Sequence, residues 1–124
     1  MNAPEFTEME ESVYDILALI RKKPGLFIAV PSINRLHAFF VGYTAGLGRL
    51  RHVLKDGDEF HKFHDWVARR LGFGESTSGW CNMIRDKSEN EKEAYEKFFV
   101  LLDEFRKEVG TDDVRSGSTN SPTV

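Results

Sequence analysis

Two histidines and an aspartate within residues 61–65 are the side chains best suited to metal chemistry in this chain. His61 and His64 are three positions apart, so a helix would place them on one face, with Asp65 beside them. A zinc site needs three or four ligands. His37 and His52 lie on another segment, fifteen residues from each other. Because no further cluster of histidine or cysteine completes a ligand set, we expect neither a metal site nor a cofactor.

The single cysteine, Cys81, is the candidate for nucleophilic chemistry, with His64 as its base. Such a pair also needs a group that orients the base and donors for the oxyanion, and the sequence indicates neither. Motifs for phosphate-binding loops, calcium loops and Gly-x-Ser-x-Gly hydrolases are absent too. We therefore predict no catalytic residue and a protein that is not an enzyme.

A small ligand, if there is one, is expected near the two tryptophans. Trp66 and Trp80 bracket a turn that is rich in glycine and hydroxyl residues. Their spacing favours positions in the core. The alternative is a small pocket that Trp66 and Trp80 form with Tyr43 and the turn from Glu75 to Ser78, since small binding sites combine aromatic walls with a few polar groups.

Length and charge limit the classes of protein that remain. The 124 residues predict one domain, and ten Phe supply a large core. A net charge of −3 gives no general attraction to phosphate backbones, so we expect no nucleic acid as partner. The sequence has no apolar run of about 20 residues, which predicts no membrane span. A lone cysteine and an acidic start that is unlike a secretory signal predict a cytoplasmic protein.

Apolar residues recur at helical spacing and predict an all-α, single-domain bundle of about five helices. Thr7 and Glu10 have the pattern of a capping box for the first helix, which ends at Pro24. The run from Leu26 to Val30 has no strand to pair with, so we interpret it as a buried connection, or as an edge that pairs in a homodimer. Ser32 is expected to cap the second and most apolar helix.

Glycines and caps set the expected limits of the later helices. Gly42 and Gly46 lie one turn apart in the second helix, which predicts close approach of another backbone. Asp58 is expected to cap a third helix that Gly72 ends, and a short fourth helix follows. A fifth helix begins at Ser88 or Asn90.

The fifth helix is expected to end at Gly110, which sets the boundary of the domain. The helical domain then comprises residues 1–110. Residues 111–124 are polar, without periodic apolar residues, and are predicted to form a flexible tail.

Charges are sorted along the chain. Residues 1–20 hold five acids and no base, whereas residues 21–55 hold seven bases and no acid. This favours antiparallel packing of the first two helices, with a phosphate-binding surface as the alternative. Acidic surfaces suit a basic protein partner. The candidate partner-binding residues are Asp56, Asp58, Glu59, Glu75, Ser76, Thr77, Glu93 and Glu96.

Residues from about 13 to 106 carry a resemblance to a known group of proteins. The matching positions include Phe63-His64-Asp65-Trp66-Val67, Gly79-Trp80 and the run from Phe98 to Phe105. In these residues the chain resembles a small family of uncharacterised bacterial helical proteins that are similar to immunity proteins of polymorphic or contact-dependent toxin systems. The resemblance implies a protein that blocks a cognate toxin domain by direct binding, without catalysis. A helical binding or scaffold protein outside any toxin system, as a monomer or a homodimer, is the alternative.

Overall fold

A computed structural model describes residues 5–74 and 78–117 of the chain, with side chains as far as residue 110. The elements follow in the order β1 (Thr7–Ser12), α1 (Val13–Lys22), α2 (Pro24–Phe27), α3 (Ile33–Arg49), β2 (His52–Lys55), α4 (Gly57–His61), α5 (Phe63–Leu71), α6 (Gly79–Asp86) and α7 (Glu91–Gly117). The described chain is mostly helical, and β1 and β2 form a small parallel sheet. The prediction of an all-α protein is therefore right for the dominant structure and wrong for the two strands.

The segment predicted to begin the first helix is instead strand β1. It pairs with β2, with Thr7 opposite His52 and Ser12 opposite Lys55. The capping box lies five residues later than predicted. The Ser12 hydroxyl accepts hydrogen bonds from two amides of the first turn, and the Asp15 carboxylate accepts one of 2.9 Å from the amide of Ser12. The helix therefore begins at Val13.

We expect Ser12→Ala to lower the free energy of unfolding by about 1 kcal/mol, because two amides of the first turn of α1 lose their acceptor. Urea denaturation followed by circular dichroism measures this loss. Thr7→Ala is the matched control, since Thr7 is exposed in β1 and caps no helix. An equal loss of unfolding free energy for the two variants would mean that Thr7 caps the helix as well, and it would contradict the assignment of Ser12 as the cap of α1.

Parts of the acidic segment (residues 1–20) and the basic segment (residues 21–55) do lie side by side, but as paired strands and not as the predicted antiparallel helices. The parallel ladder brings the acidic strand β1 beside β2 and the end of α3. The amide of Thr7 donates a 2.8 Å hydrogen bond to the carbonyl of Arg51. Acids of the first segment thus lie alongside bases of the second because two backbones pair as strands.

The run after α1 is a short helix and a turn. Pro24 occupies the first position of α2, where its missing amide costs no hydrogen bond. Ile28 is buried, whereas Leu26 and Val30 are exposed by 73% and 50%. The predicted buried connection is therefore right for Ile28 and wrong for Leu26 and Val30.

Helix α3 begins as predicted but lacks the expected backbone neighbour. The Ser32 hydroxyl accepts from the amide of Arg35 at 3.2 Å, which confirms Ser32 as the cap. Gly42 and Gly46 are exposed, and a Cβ at either position would meet nothing within 4 Å. The prediction of a close backbone approach is therefore wrong for the described part of the chain.

The predicted third helix is two helices, α4 and α5, which meet at Lys62. Asp56 precedes α4 with a left-handed φ of 65°, and no side chain caps the helix, so Asp58 is not the cap. Gly72 ends α5 with a φ of 81°, as predicted. Glycine suits this conformation because it has no Cβ to clash with the backbone.

The last helix, α7, is longer than predicted. The Asn90 side-chain oxygen accepts from the amide of Glu93 at 2.8 Å, which selects Asn90 over Ser88 as the cap. The helix continues through Gly110 to Gly117, so the expected end at Gly110 is wrong. The tail's flexibility and the domain boundary stay predictions, and residues 118–124 lie outside the described part. None of the described helices has the length and apolar character needed to cross a membrane.

Phe63 of α5 lies at the centre of the core and is fully buried. Its ring centroid is 5.3–6.1 Å from five other aromatic rings, which come from α4, α5, α6 and α7. These rings belong to Phe60, Trp66, Trp80, Phe98 and Phe105. Interlocked rings of this kind hold the four helices in fixed relative positions, since close-packed aromatic pairs tolerate little displacement.

Candidate functional site

A pocket of about 900 Å³ opens between α3, β2, α4, α5 and the start of α6. Most of its apolar wall residues are buried or half-buried in the described structure. They include Val13, Phe40, Leu47, Leu54, Phe60 and Trp80. Sites for small molecules have volumes of roughly 300–1,000 Å³ and mostly apolar walls. The pocket therefore has the size and the wall chemistry of a ligand site.

Polar side chains line one side of the same pocket. His61, Lys62 and Asp65 are exposed, and His64 is half-buried between them and the core. The Nε2 atom of His64 lies 3.8 Å from a carboxylate oxygen of Asp65. Because the polar members are the exposed ones, they form the rim, whereas the apolar members form the floor.

His52 of β2 is a half-buried residue of the lining. Its Nδ1 atom is buried and has no hydrogen-bond partner in the described part of the chain. Leaving a buried polar atom unpaired costs about 1–3 kcal/mol. The wall of the pocket therefore holds a hydrogen-bonding group that the described protein does not satisfy.

Of the three aromatic residues predicted to border a pocket, the structure places Trp80 in the lining. Its ring is in contact with Phe98 at 4.7 Å between centroids. Trp66 is in the core instead, and its Nε1 donates a 3.1 Å hydrogen bond to Glu108. Tyr43 stacks on Phe39, outside the lining. The structure thus places Trp80, but neither Trp66 nor Tyr43, in the lining of this pocket, and a ligand there stays a prediction.

Tyr43 and Tyr14 each donate a hydrogen bond to a carboxylate. The hydroxyl of Tyr43 donates to Glu11 at 2.9 Å, and that of Tyr14 donates to Glu59 at 2.6 Å. Burial, together with the neighbouring carboxylate, raises the pKa of both phenols. The guanidinium of Arg106 lies 3.9 Å from the centre of the Tyr14 ring. Glu59, a predicted partner-binding residue, is therefore already engaged inside the protein.

The predicted partner-binding acids of α7 are paired along their own helix. Glu93 lies 3.8 Å from the amine of Lys97, and Glu96 lies 3.6 Å from that of Lys92. In the Glu93–Lys97 pair the acid is four residues before the base, the order that stabilises a helix. These pairs lower the net negative charge of this face, so it is a weaker surface for a basic partner than the sequence suggested.

Asp56 and Asp58 differ from these acids because both are exposed and form no ion pair within the described residues. They follow β2 directly. On the neighbouring strand β1, Glu8 and Glu10 are also exposed, and the register of the ladder is irregular between Glu8 and Ser12. We call Glu8, Glu10, Asp56 and Asp58 the acidic edge. The remaining predicted residues Glu75, Ser76 and Thr77 lie outside the described part of the chain.

The candidate metal ligands and the candidate thiol nucleophile can be compared with their surroundings in the described structure. Across residues 5–74 and 78–110, no three side chains of His, Cys, Asp or Glu are grouped so that they could hold a metal ion. Cys81 is buried, with its sulfur 3.8 Å from the carbonyl of Ile33 and 3.6 Å from the side-chain oxygen of Asn34. Burial raises the pKa of the Cys81 thiol, which disfavours the reactive thiolate.

Comparison with known proteins does not supply a function. No family model, curated protein or solved structure matches the chain. The function must therefore be argued from the pocket, the acidic edge and the resemblance described above.

Several pocket residues were not singled out by the sequence. Thr44 and Gly48 come from α3, Lys62 from the junction of α4 and α5, and Phe6 from the position just before β1, whereas His52 of β2 was considered only as a metal ligand. His52 belongs to the parallel ladder, and Phe6 directly precedes it. The sequence contains no alternating apolar pattern that predicts this ladder, and so it could not bring these residues together.

Proposed function

We propose that this protein neutralises a bacterial toxin domain by binding it directly, and that the acidic edge is its contact surface. The resemblance to immunity proteins supports the class of partner. The observation that carries the contact surface is the exposed position of Glu8 and Glu10 on β1, with Asp56 and Asp58 just after β2.

Strand β1 supports this proposal because its backbone can accept a further strand. Within the described residues the sheet has two strands, so β1 is paired with β2 on one side only. Partners often bind such an edge by adding a strand of their own, and the backbone hydrogen bonds then supply affinity. The acidic edge would select a basic partner and speed its approach through long-range attraction.

The rigid core supports the same proposal. An inhibitory binding protein gains affinity when its contact surface is ordered before the partner arrives. The acidic edge is attached to the core through Tyr14 and Ser12, which are buried at the start of α1, and through Leu54 of β2. The partner therefore meets a surface that needs little ordering.

Binding to the toxin encoded beside this gene tests the proposal. We expect a gene for a large secreted toxin next to the gene for this protein, and a 1:1 complex between the purified toxin domain and this chain in isothermal titration calorimetry. Glu10→Lys is expected to weaken the complex by about tenfold, because a carboxylate that faces a basic partner becomes a repelling charge. Raising the salt concentration should reduce this difference.

Glu96→Lys is the matched control, with the same change in charge at an exposed position on α7. We expect it to change the affinity by less than about twofold, because single rim charges outside the contact have little effect. Equal losses for the two variants would remove the acidic edge from the contact surface. The absence of any complex would overturn the toxin-binding function itself.

A homodimeric binding or scaffold protein is the second candidate, and the outer face of α3 favours it. Ala38, Val41, Gly42, Ala45 and Gly46 are exposed there. Small residues allow the backbones of two helices to approach closely. Light scattering of the purified protein separates the candidates, because a dimer that forms no toxin complex would favour this reading.

A further inference from the structure

We infer that the 900 Å³ pocket binds a small ligand with an aromatic or aliphatic body and one anionic group. The inference stands apart from the proposed toxin binding, because the pocket and the acidic edge share none of their residues. It follows from the walls, the charge of the rim and the unpaired nitrogen of His52.

The walls suit an apolar, flat body. Phe40, Phe60 and Trp80 contribute aromatic surface to the lining. The Trp80 ring is held by ring contacts of 6.3 Å to Phe60 and 6.0 Å to Phe63, and the Phe40 ring by a contact of 5.3 Å to Phe60. These walls are connected to the central core, so the pocket is formed before a ligand enters. A preformed pocket binds with a smaller cost of ordering.

The rim suits an anion. Among the described residues, Lys62, His61 and His64 lie at this rim, and the carboxylate that lines the pocket is that of Asp65. This carboxylate already faces His64 at 3.8 Å. An ammonium group and imidazole N–H groups donate hydrogen bonds to an anionic oxygen, and such charge-assisted bonds are the stronger ones. A cationic ligand would instead be repelled by the ammonium group of Lys62.

The mouth adds a further positive group. Phe6 lies in the lining and is exposed by 55%. The guanidinium carbon of Arg51 lies 5.5 Å from the centre of the Phe6 ring. Phe6 thus extends the aromatic wall towards solvent, and Arg51 adds to the attraction that the mouth exerts on an anion.

His52 offers a hydrogen-bonding group inside the pocket. Because its Nδ1 is covered in the described structure, the side chain must move before a ligand oxygen can contact this atom. Such a contact would remove the cost of leaving the nitrogen unpaired.

Two fluorescent probes with the same aromatic body test the site. The first, 8-anilinonaphthalene-1-sulfonate, carries an anionic sulfonate, and the second, N-phenyl-1-naphthylamine, lacks it. We expect the native protein to bind the sulfonate at one site, about tenfold more tightly than the neutral probe, as a charge-assisted contact predicts. Emission of each probe, excited directly, measures binding.

Filling the pocket provides the decisive variant. Gly48 lines the pocket, and a Cβ there would meet nothing within 4 Å, so Gly48→Phe places a ring in the pocket without a clash at the backbone. Gly46→Phe is the matched control on the same helix, at an exposed glycine outside the lining. We expect Gly48→Phe to weaken binding of the sulfonate by about tenfold or more, and Gly46→Phe to leave it unchanged.

Three results would overturn the inference. The first is no saturable binding of the sulfonate by the native protein. The second is an equal affinity for the two probes, which would remove the anionic group from the ligand. The third is an unchanged affinity of Gly48→Phe for the sulfonate, which would mean that the probe binds elsewhere. If Gly48→Phe bound the sulfonate normally but lost toxin binding, the pocket would accept a side chain of the toxin instead of a small ligand.

Discussion

Phe63→Ala is expected to lower the free energy of unfolding by about 3–5 kcal/mol, the range found when a buried Phe is truncated in a core. The Phe63 side chain is 0% exposed, and its ring is in contact with five other rings. These rings come from four helices, so the cavity cannot close by moving one of them. Since small domains are stable by only about 5–15 kcal/mol, this single change removes a large part of the stability.

Urea denaturation followed by far-ultraviolet circular dichroism measures this loss. Phe6→Ala is the matched control, because Phe6 is exposed by 55% and has no place in the buried core. We expect a change within about 0.5 kcal/mol for Phe6→Ala, as for other surface substitutions. A loss below about 1 kcal/mol for Phe63→Ala would contradict the central position that the structure gives to this ring.

The parts of the fold that depend on neighbouring residues in sequence could be predicted. Ser32 caps α3 and Gly72 ends α5, because a cap or a left-handed C-terminus involves residues within one turn of each other. The apolar period likewise predicted α1, α3, α6 and the first part of α7. In each case a few adjacent side chains determine the local backbone.

The strands could not be predicted because their pairing depends on distant residues. β1 has the sequence TEMEES, which has no apolar alternation, and its partner β2 begins forty residues after β1 ends. Thr7 and Ser12 each precede an acid by three residues, so the capping pattern occurs twice in succession. The capping pattern that begins at Thr7 forms a strand because its backbone is hydrogen-bonded to β2.

The sequence also does not show which of the two tryptophans borders the pocket. Trp66 and Trp80 flank the same turn, and sequence spacing does not distinguish them. Trp66 packs on Phe105 at 5.7 Å between ring centroids and is buried, whereas Trp80 packs on Phe98 and His37 and is half-buried in the lining of the pocket. These contacts join residues that are distant in sequence, so a local pattern cannot predict them.

The sequence also does not show which of the acidic residues are free of ion pairs. Glu93, Glu96, Asp56 and Asp58 all look like exposed acids in the sequence. Glu93 and Glu96 each pair with a lysine four residues away on α7. Asp58 also has a lysine, Lys62, four residues further on, but Asp56 and Asp58 form no ion pair within the described residues. The acids available to a partner are therefore those next to the strands.

Glu91→Gln is expected to give the second large loss of stability, about 2 kcal/mol, because charge-assisted hydrogen bonds each contribute about 1.5–3 kcal/mol and this one is partly exposed. One carboxylate oxygen accepts from the Ser32 hydroxyl at 2.5 Å and from the amide of Asn34 at 3.2 Å. The other accepts from the Asn34 side chain at 2.7 Å and lies 3.3 Å from Arg85. A single side chain thus connects the starts of α7 and α3 with the end of α6.

The dependence on pH distinguishes this charged role from simple packing. The hydrogen bond from Ser32, helped by the Asn34 amide and Arg85, holds the pKa of Glu91 below its ordinary value of 4.5, although burial opposes the shift. A carboxylate with a lowered pKa stabilises the folded state above its ordinary pKa, and this contribution is lost as the pH falls through the folded-state value. The difference in unfolding free energy between the native protein and Glu91→Gln should therefore be constant near neutral pH and shrink below about pH 4.5.

Glu96→Gln is the matched control for this pH series. Its carboxylate lies in an exposed pair with Lys92, 3.6 Å away, and exposed pairs contribute about 0–1 kcal/mol. We expect a small and nearly constant difference for this variant when urea denaturation is repeated from pH 3 to pH 7. A Glu91→Gln difference as large at pH 3 as at pH 7 would mean that the ionised carboxylate does not connect the three helices, and that only the shape of the side chain matters there.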